Sequence, residues 1–277
     1  MIPQRDISRI ANALFQAGGG RRIPEAVIER DYCLAWFLTA LAQHPLRERL
    51  AFKGGTALRR CWFENYRFSE DLDFSLIEPT ELDAILSGFA EIFADMQAAS
   101  GIVMAYDRPD RHGHQNTHTF YIKYKGPLPA ASDVKVDITI NEVFCFGLVD
   151  RPILRTFDEF ADLPAGPTVR TYSLEEIFVE KLAALSDKAR TEPRDLYDLW
   201  NLVDEHDIRP GELLSELTAK LELRGRKPEG LADAIAAKEA RLARLWKDRL
   251  SQQMSDLPEY EGVFRQVMRA LREAALP

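Results

Sequence analysis

Cysteine is scarce in this sequence: Cys33, Cys61 and Cys145 are the only three among 277 residues. They are widely separated and odd in number, so they give neither a disulfide framework nor the paired spacing of a zinc site. The first residues also lack the apolar core of a secretory signal. Because free thiols are typical of reducing compartments, we expect a cytoplasmic protein.

Two further absences narrow the class of protein. No uninterrupted apolar run reaches the roughly 18 residues that a bilayer-spanning helix needs, so we expect no membrane segment. Basic residues are outnumbered, with 36 Lys and Arg against 44 Asp and Glu, and the net charge is −8. Proteins that coat nucleic acid without specificity are usually basic overall. Any contact with nucleic acid should therefore depend on a local basic patch.

Apolar residues make up 46% of the chain, enough for one large core or two smaller ones. After two N-terminal helical segments, short strand-like runs dominate up to about residue 172, and helical patterns dominate from Ser173 onward. We therefore predict an α/β (α+β) fold, with a mixed sheet and flanking helices in residues 1–165 and a helical domain in residues 166–277. The predicted strands are 50–52, 72–77, 102–106, 117–124, 134–140, 153–156 and 168–172.

The most informative strand carries two aspartates. Alternation along the strand places Leu72, Phe74 and Leu76 on one face and Asp71 and Asp73 on the other, with the two aspartate Cα atoms roughly 6.5 Å apart. Two such carboxylates repel each other unless a cation lies between them, and hard divalent cations prefer oxygen ligands. An isolated Asp-x-Asp is more often a solvated strand face, so this interpretation depends on its surroundings.

The surroundings include a glycine pair. Lys53, Gly54, Gly55 and Thr56 follow a short strand and begin a helix, which would present main-chain N–H groups to a triphosphate. Lys53 would add a charge and Thr56 a hydroxyl. Taken alone, two glycines before a helix more often form only a tight turn.

A third carboxylate lies on a later strand. Valine and isoleucine fill one face of 134–140, and Lys135, Asp137 and Thr139 fill the other. If this strand pairs with the first, Asp137 completes a three-carboxylate cluster that could hold two cations for an attacking hydroxyl and a pyrophosphate leaving group. The alternative is an ordinary half-exposed strand.

The helical half contains a lysine on an apolar stripe. Lys181 lies at i+4 from Ile177 and i+3 from Phe178, so it must either snorkel to solvent or meet a buried anion such as a triphosphate. Asp195 begins the next helix. It could pair with Lys181, orient a nucleotide, or act only as an N-terminal carboxylate that complements the helix dipole.

In order and spacing these motifs resemble the AbiEii/AbiGii toxin family, which includes the MenT toxins, within the nucleotidyltransferase superfamily of DNA polymerase β type. The finer match includes Arg30, where the family usually has lysine. The matching segments are Glu-Arg-Asp-Tyr at 29–32, Gly-Gly-Thr at 54–56, Ser-Glu-Asp-Leu-Asp-Phe at 69–74, Val-Asp-Ile at 136–138, Glu-Lys-Leu-Ala-Ala-Leu at 180–185 and Pro-Arg-Asp-Leu-Tyr-Asp-Leu-Trp at 193–200.

The resemblance implies a nucleotidyltransferase fold and the transfer of a nucleoside monophosphate from an NTP. It implies a Mg²⁺ (or Mn²⁺) site at Asp71, Asp73 and Asp137, and further catalytic roles for Lys181 and Asp195. The nucleotide would be bound by Lys181 and by residues near the glycine pair, namely Lys53, Gly54, Gly55, Thr56 and Ser69.

The resemblance also implies an acceptor and a partner. The acceptor would be the 3′ end of tRNA, and a cognate antitoxin would accompany a toxin of a type IV-like or abortive-infection system. Two alternatives remain: transfer to a protein or a small molecule, or nucleotide binding without catalysis. Candidate RNA contacts are Arg108, Arg111, Lys188, Arg190 and Arg194, whereas the basic run Lys238, Arg241, Arg244, Lys247 and Arg249 is interpreted as a solvated helix face.

Overall fold

A computed structural model gives the fold of residues 1–18, 21–112 and 115–274. The chain forms two compact units. Among the described residues, the first unit comprises those within 1–142, 148–171 and 253–255, and the second comprises those within 143–147, 172–252 and 256–274. Within the described ranges, no helix has both the length and the apolar character needed to cross a lipid bilayer.

The first unit contains a seven-stranded mixed sheet with the strand order β3-β4-β5-β2-β1-β7-β6. Two neighbouring pairs, β2 with β5 and β1 with β7, are parallel, and the other pairs are antiparallel. The strands are β1 (Leu50–Lys53), β2 (Leu72–Leu76), β3 (Val103–Pro109), β4 (Thr117–Lys125), β5 (Ser132–Thr139), β6 (Val149–Pro152) and β7 (Thr168–Thr171).

Two long helices of the first unit pack against each other and against the sheet. Phe89, on the helix Leu82–Ser100, contacts Phe37 of the helix Glu25–Leu41 and Phe120 of β4. The ring centroids are 5.3 Å and 5.8 Å from that of Phe89. Each fully buried side chain of this size contributes about 1.5–3 kcal/mol. The helices are α1 (Gln4–Ala17), α2 (Glu25–Leu41), α3 (Gly54–Ala57), which continues as a π turn (Leu58–Trp62), and α4 (Leu82–Ser100).

One predicted strand is wrong. Residues 153–156 are not a strand, and the pairing segment is Val149–Pro152 instead. The reason is the partner of the main chain: Leu154 donates its N–H to the carbonyl of Arg60 and accepts from the Arg60 guanidinium. Because these groups bond to the π turn, they are not available for a sheet ladder.

The second unit is helical in its described part. Its first helix is capped at Ser173, whose hydroxyl accepts a hydrogen bond of 3.2 Å from the main-chain N–H of Glu176. The helices are α5 (Leu174–Leu185), α6 (Pro193–Asp204), α7 (Leu214–Leu223), α8 (Leu231–Ala236), α9 (Glu239–Leu250) and α10 (Tyr260–Glu273).

The basic run around α9 divides into two parts. Arg241, Arg244, Lys247 and Arg249 are exposed, as predicted for a solvated face. Lys238 is buried, which corrects the prediction for that residue. Its ammonium donates to the main-chain oxygens of residues 185, 187 and 190, just past the last turn of α5. Carbonyls at a helix C-terminus lack intrahelical donors, and Lys238 supplies them.

Candidate active site

A row of four polar residues crosses the sheet of the first unit. The register pairs Lys53 with Asp73, Asp73 with Asp137, and Asp137 with Thr119. Residues directly opposite each other in neighbouring strands point to the same face. The pairing of the two aspartate strands is therefore confirmed, and the four side chains form what we call the polar row.

Asp137 lies within this row in contact with two side chains. Its Oδ1 accepts a hydrogen bond of 2.6 Å from the Thr119 hydroxyl, and its Oδ2 lies 2.6 Å from the ammonium of Lys135. Burial alone would lower the pKa of Lys135, but the hydrogen bond and charge of Asp137, with the charges of Asp71 and Asp73, raise it overall. The ammonium is therefore held as a cation against an acidic cluster.

Asp71 lies one residue before β2 and two before Asp73. Two side chains from elsewhere in the protein hold this segment in place. The Thr56 hydroxyl donates to the main-chain oxygen of Asp71. Arg30 of α2 reaches Glu70, with 3.3 Å between the guanidinium and a carboxylate oxygen. An arginine at position 30 therefore positions the residue that leads into the aspartates.

The neighbouring Asp31 has a structural role. It is buried, and its carboxylate accepts hydrogen bonds from both Arg59 and Arg60 of the π turn. Tyr32 donates its hydroxyl to Asp162 at 2.6 Å. Because the π turn continues directly from α3, the contacts of Asp31 with Arg59 and Arg60 help to fix the helix that begins at the glycine pair.

The glycine pair is required by close approach. Gly54 has φ +78°, and a Cβ there would lie 2.3 Å from an Asp73 carboxylate oxygen. A Cβ at Gly55 would lie 2.5 Å from the Arg67 guanidinium and 3.0 Å from the Ser69 hydroxyl. These glycines therefore let the acidic strand and the Arg67–Ser69 segment approach the start of α3, which a tight turn alone would not require.

We predict that Gly54→Ala impairs the site beyond its effect on stability. Positive φ costs an alanine about 1–2 kcal/mol, and the added methyl displaces Asp73, so activity should fall at least about tenfold. Gly101→Ala is the matched control, since Gly101 has φ +77° and no heavy atom within 4 Å of the added Cβ. Urea denaturation should show similar losses in both variants. Equal activity in the two would contradict the close-approach argument.

The polar row has the chemistry of a divalent-cation site. Among the described residues, no three His, Cys, Asp or Glu side chains form a preformed cage. Mg²⁺ does not need such a cage, because it keeps several waters and takes one or two carboxylates together with substrate phosphates. Paired strands place Asp73 and Asp137 about 4.8 Å apart, and Lys135 shows that their charge attracts a cation. The donor set therefore fits Mg²⁺ or Mn²⁺.

Lys53 ends the polar row and is held in place. Its ammonium donates to the Thr139 hydroxyl at 3.0 Å and lies 3.6 Å from a carboxylate oxygen of Glu142. Glu142 is almost fully buried and was missed by sequence analysis. The only sequence signal for it is a carboxylate shortly after an acidic strand.

The second unit contains a separate buried ionic cluster. The ammonium of Lys181 lies 2.8 Å from Asp195 Oδ1 and 2.8 Å from Asp198 Oδ2, and Arg190 Nε lies 2.6 Å from Asp195 Oδ2. Burial would raise the pKa of Asp195, but the charges of Lys181 and Arg190 and their hydrogen bonds lower it overall. Of the alternatives for Asp195, the structure shows the pair with Lys181.

Asp198 was missed by sequence analysis although it belongs to this cluster. It is fully buried and ionically paired. Its signal was its spacing, because residues at i and i+3 share a helix face and Asp198 follows Asp195 by three. A second buried carboxylate means that Lys181 has anionic partners within the chain.

Three of the five candidate RNA contacts form ion pairs within the protein. Arg108 pairs with Asp107 and Asp133 and lies over the Tyr121 ring, 4.3 Å from its centroid. Arg190 pairs with Asp195, and Arg194 lies 3.3 Å from Glu192. Arg111 and Lys188 are exposed. The pairs of Arg108 are exposed and therefore weak, so they do not prevent phosphate contacts, whereas Arg190 belongs to the buried cluster through Asp195. The RNA role of all five residues stays a prediction.

Comparisons with known proteins identify the family and the fold. The family model for the AbiEii nucleotidyltransferase toxin of type IV toxin–antitoxin systems matches residues 36–274. No curated protein matches the sequence. The fold is similar to that of MenT4, a nucleotidyltransferase toxin from Mycobacterium tuberculosis H37Rv, with a TM-score of 0.64 and 18% identity over 100% of this chain and 94% of that one. This likeness confirms the predicted fold.

A second solved structure was also compared. It is an antigenic nucleotidyltransferase-like protein from Paracoccidioides brasiliensis, 17% identical over 85% of this chain and 97% of that one, with a TM-score of 0.44.

Proposed function

The chain belongs to the AbiEii nucleotidyltransferase toxin family of type IV toxin–antitoxin systems. On that premise we propose that it transfers a nucleoside monophosphate from an NTP to the 3′ end of tRNA. We further propose that Asp71, Asp73 and Asp137 hold the Mg²⁺ or Mn²⁺ of this reaction. The single observation that supports the proposal best is the polar row, in which Asp73 is paired with Asp137 on adjacent parallel strands.

The residues of the polar row and of the glycine pair would have different roles in this reaction. When bound, a divalent cation neutralises phosphate charge and favours ionisation of an attacking hydroxyl. Asp73 and Asp137 would orient it, and Thr119 fixes one oxygen of Asp137. Gly54 and Gly55 would admit the phosphates beside the carboxylates, with Lys53, Thr56 and Ser69 nearby. The Thr56 hydroxyl donates to the main-chain oxygen of Asp71, so it holds the start of β2 in place before any nucleotide binds.

The roles of Lys181 and Asp195 in nucleotide use are proposed on the family resemblance. The buried pairs with Asp195 and Asp198 already explain why a lysine lies on the apolar stripe of α5. Lys181→Arg keeps the charge but changes its shape and reach. A higher KM for NTP in this variant, with unchanged stability, would support a direct role in the nucleotide-binding region.

The choice of acceptor also rests on the family. Fold and family relations are associational, so they favour RNA without excluding a protein or a small molecule. The net charge of −8 requires that RNA be held by a local patch. NTP and tRNA both occur in the cytoplasm, which is the compartment we propose. A cognate antitoxin is the proposed protein partner.

A labelled-acceptor screen tests the proposal. The protein is incubated with each α-³²P-labelled NTP, Mg²⁺ and either purified tRNA, total RNA lacking tRNA, a protein extract or an aminoglycoside mixture. We expect label on tRNA, removed by trimming the 3′ terminus, and no label when EDTA is present. Because phosphate contacts release counterions, transfer should also fall as salt rises. Label on protein or aminoglycoside alone would replace RNA as the acceptor.

A further inference from the structure

A lysine lies inside the acidic cluster of the first unit. Lys135 is on β5, two residues before Asp137, so the strand places both on the same face. Its ammonium lies 2.6 Å from Asp137 Oδ2, and the charges of Asp71 and Asp73 also act on it. The ammonium therefore contacts one of the three carboxylates to which we assign the divalent cation and is stabilised by the charges of the other two.

This arrangement commits both oxygens of Asp137. Oδ1 accepts the hydrogen bond from Thr119, and Oδ2 contacts Lys135. A divalent cation beside a retained ammonium would meet strong like-charge repulsion in this half-buried position. Asp137 can therefore coordinate a cation through Oδ2 only after Lys135 moves away.

The stem of Lys135 makes such a movement feasible. The side chain is 36% exposed, and a lysine has a flexible four-carbon stem whose ammonium can be solvated. Withdrawal would leave a positive charge at the edge of the site, where the phosphates of an NTP offer a new partner. Cation and nucleotide would then each favour the binding of the other.

We propose that Lys135 is a built-in counter-cation that holds Asp137 in the metal-free enzyme, gives way when a divalent cation binds, and so keeps the affinity for the cation low until nucleotide is present. This inference rests on the proposed function, because it takes Asp137 as a cation ligand. The counter-cation role belongs to this chain's own lysine and does not depend on which acceptor is used.

Manganese titration tests the inference without any turnover. Mn²⁺ is added to the protein in the absence of nucleotide, and free Mn²⁺ is followed by its electron paramagnetic resonance signal. Lys135→Met removes the charge and keeps the stem, so it should bind Mn²⁺ about tenfold more tightly than wild type or better. Lys135→Arg keeps the charge and should stay within about threefold of wild type. Lys123→Met, at an exposed lysine of β4, should leave the affinity unchanged.

The nucleotide dependence gives a second readout. A non-hydrolysable NTP should tighten Mn²⁺ binding to wild type far more than to Lys135→Met, because the methionine variant has no ammonium to transfer to the phosphates. Equal or weaker Mn²⁺ binding by Lys135→Met would overturn the inference. Asp137→Asn, titrated with the non-hydrolysable NTP present, distinguishes the metal site from the counter-cation role: if it binds Mn²⁺ as wild type does under these conditions, the cation lies elsewhere and both proposals fail. If Asp137→Asn loses Mn²⁺ binding while Lys135→Met gains none, only the role of Lys135 is wrong.

Discussion

Asp73→Asn is expected to reduce nucleotidyl transfer by about a thousandfold or more while leaving the fold intact. The loss follows from the central place of Asp73 in the polar row, between Lys53 and Asp137. Metal-ion catalysis supplies several kcal/mol, and every 1.4 kcal/mol or so is a tenfold change in rate. Single-turnover transfer of labelled NMP at saturating NTP and Mg²⁺ measures the effect.

We expect the stability of Asp73→Asn to equal or exceed that of wild type, although its activity falls. Asp73 repels the other carboxylates of the cluster, so removing its charge relieves part of that repulsion. Asp150→Asn is the matched control, because Asp150 is a half-exposed aspartate of β6, in the same sheet but outside the polar row. It should retain full activity. Wild-type transfer by Asp73→Asn would remove Asp73 from the catalytic site.

Lys181→Met is expected to destabilise the protein by about 3–5 kcal/mol. The substitution keeps a similar stem but leaves Asp195 and Asp198, both fully buried, without the cation that they share. Breaking a buried ion pair by removing one partner costs this much because a buried charge remains uncompensated. Urea denaturation followed by circular dichroism measures the change.

Two further variants decide whether the buried charge is the cause. Lys188→Met, at an exposed lysine in the turn after α5, should change stability by less than about 0.5 kcal/mol. Adding Asp198→Asn to Lys181→Met removes one of the two carboxylates that have lost Lys181 and should restore part of the stability. A double variant as unstable as Lys181→Met would show that the carboxylate of Asp198 carries little of the cost.

The sequence predicted the carboxylate strands well because their information is local. Alternation in β2 separates Asp73 from Phe74 without knowledge of any neighbour, and the same holds for Asp137 in β5. Two short strands with matching acidic positions, following a glycine pair, leave few pairings that bury both apolar faces. The register that sets Asp73 opposite Asp137 satisfies this requirement.

Contacts between long side chains could not be predicted in the same way. Alternation placed Lys135 on the face of Asp137, but whether its ammonium turns toward the carboxylate or toward solvent depends on four rotatable bonds and on the surrounding charge. Lys238 was predicted to be solvated, but it is buried. Its neighbours in the basic run are solvated, yet it lies one residue before α9 begins and meets the unpaired carbonyls after α5.

The wrong strand at 153–156 has a related cause. Its apolar character was read correctly, but strand formation also needs a partner for the main chain, and here Arg60 supplies that partner from the π turn. Such a long-range contact between an irregular helix and a loop leaves no periodic signal in the sequence. The prediction therefore failed where the main-chain hydrogen bonds were settled by tertiary structure.

The most direct test of the central claim is the position of the divalent cation. Crystals grown with Mn²⁺ and a non-hydrolysable NTP would locate manganese by its anomalous scattering. We expect a peak about 2.0–2.5 Å from carboxylate oxygens of both Asp73 and Asp137, with the Lys135 ammonium withdrawn from Asp137. A manganese peak bound to other side chains, with Lys135 still in contact with Asp137, would contradict it.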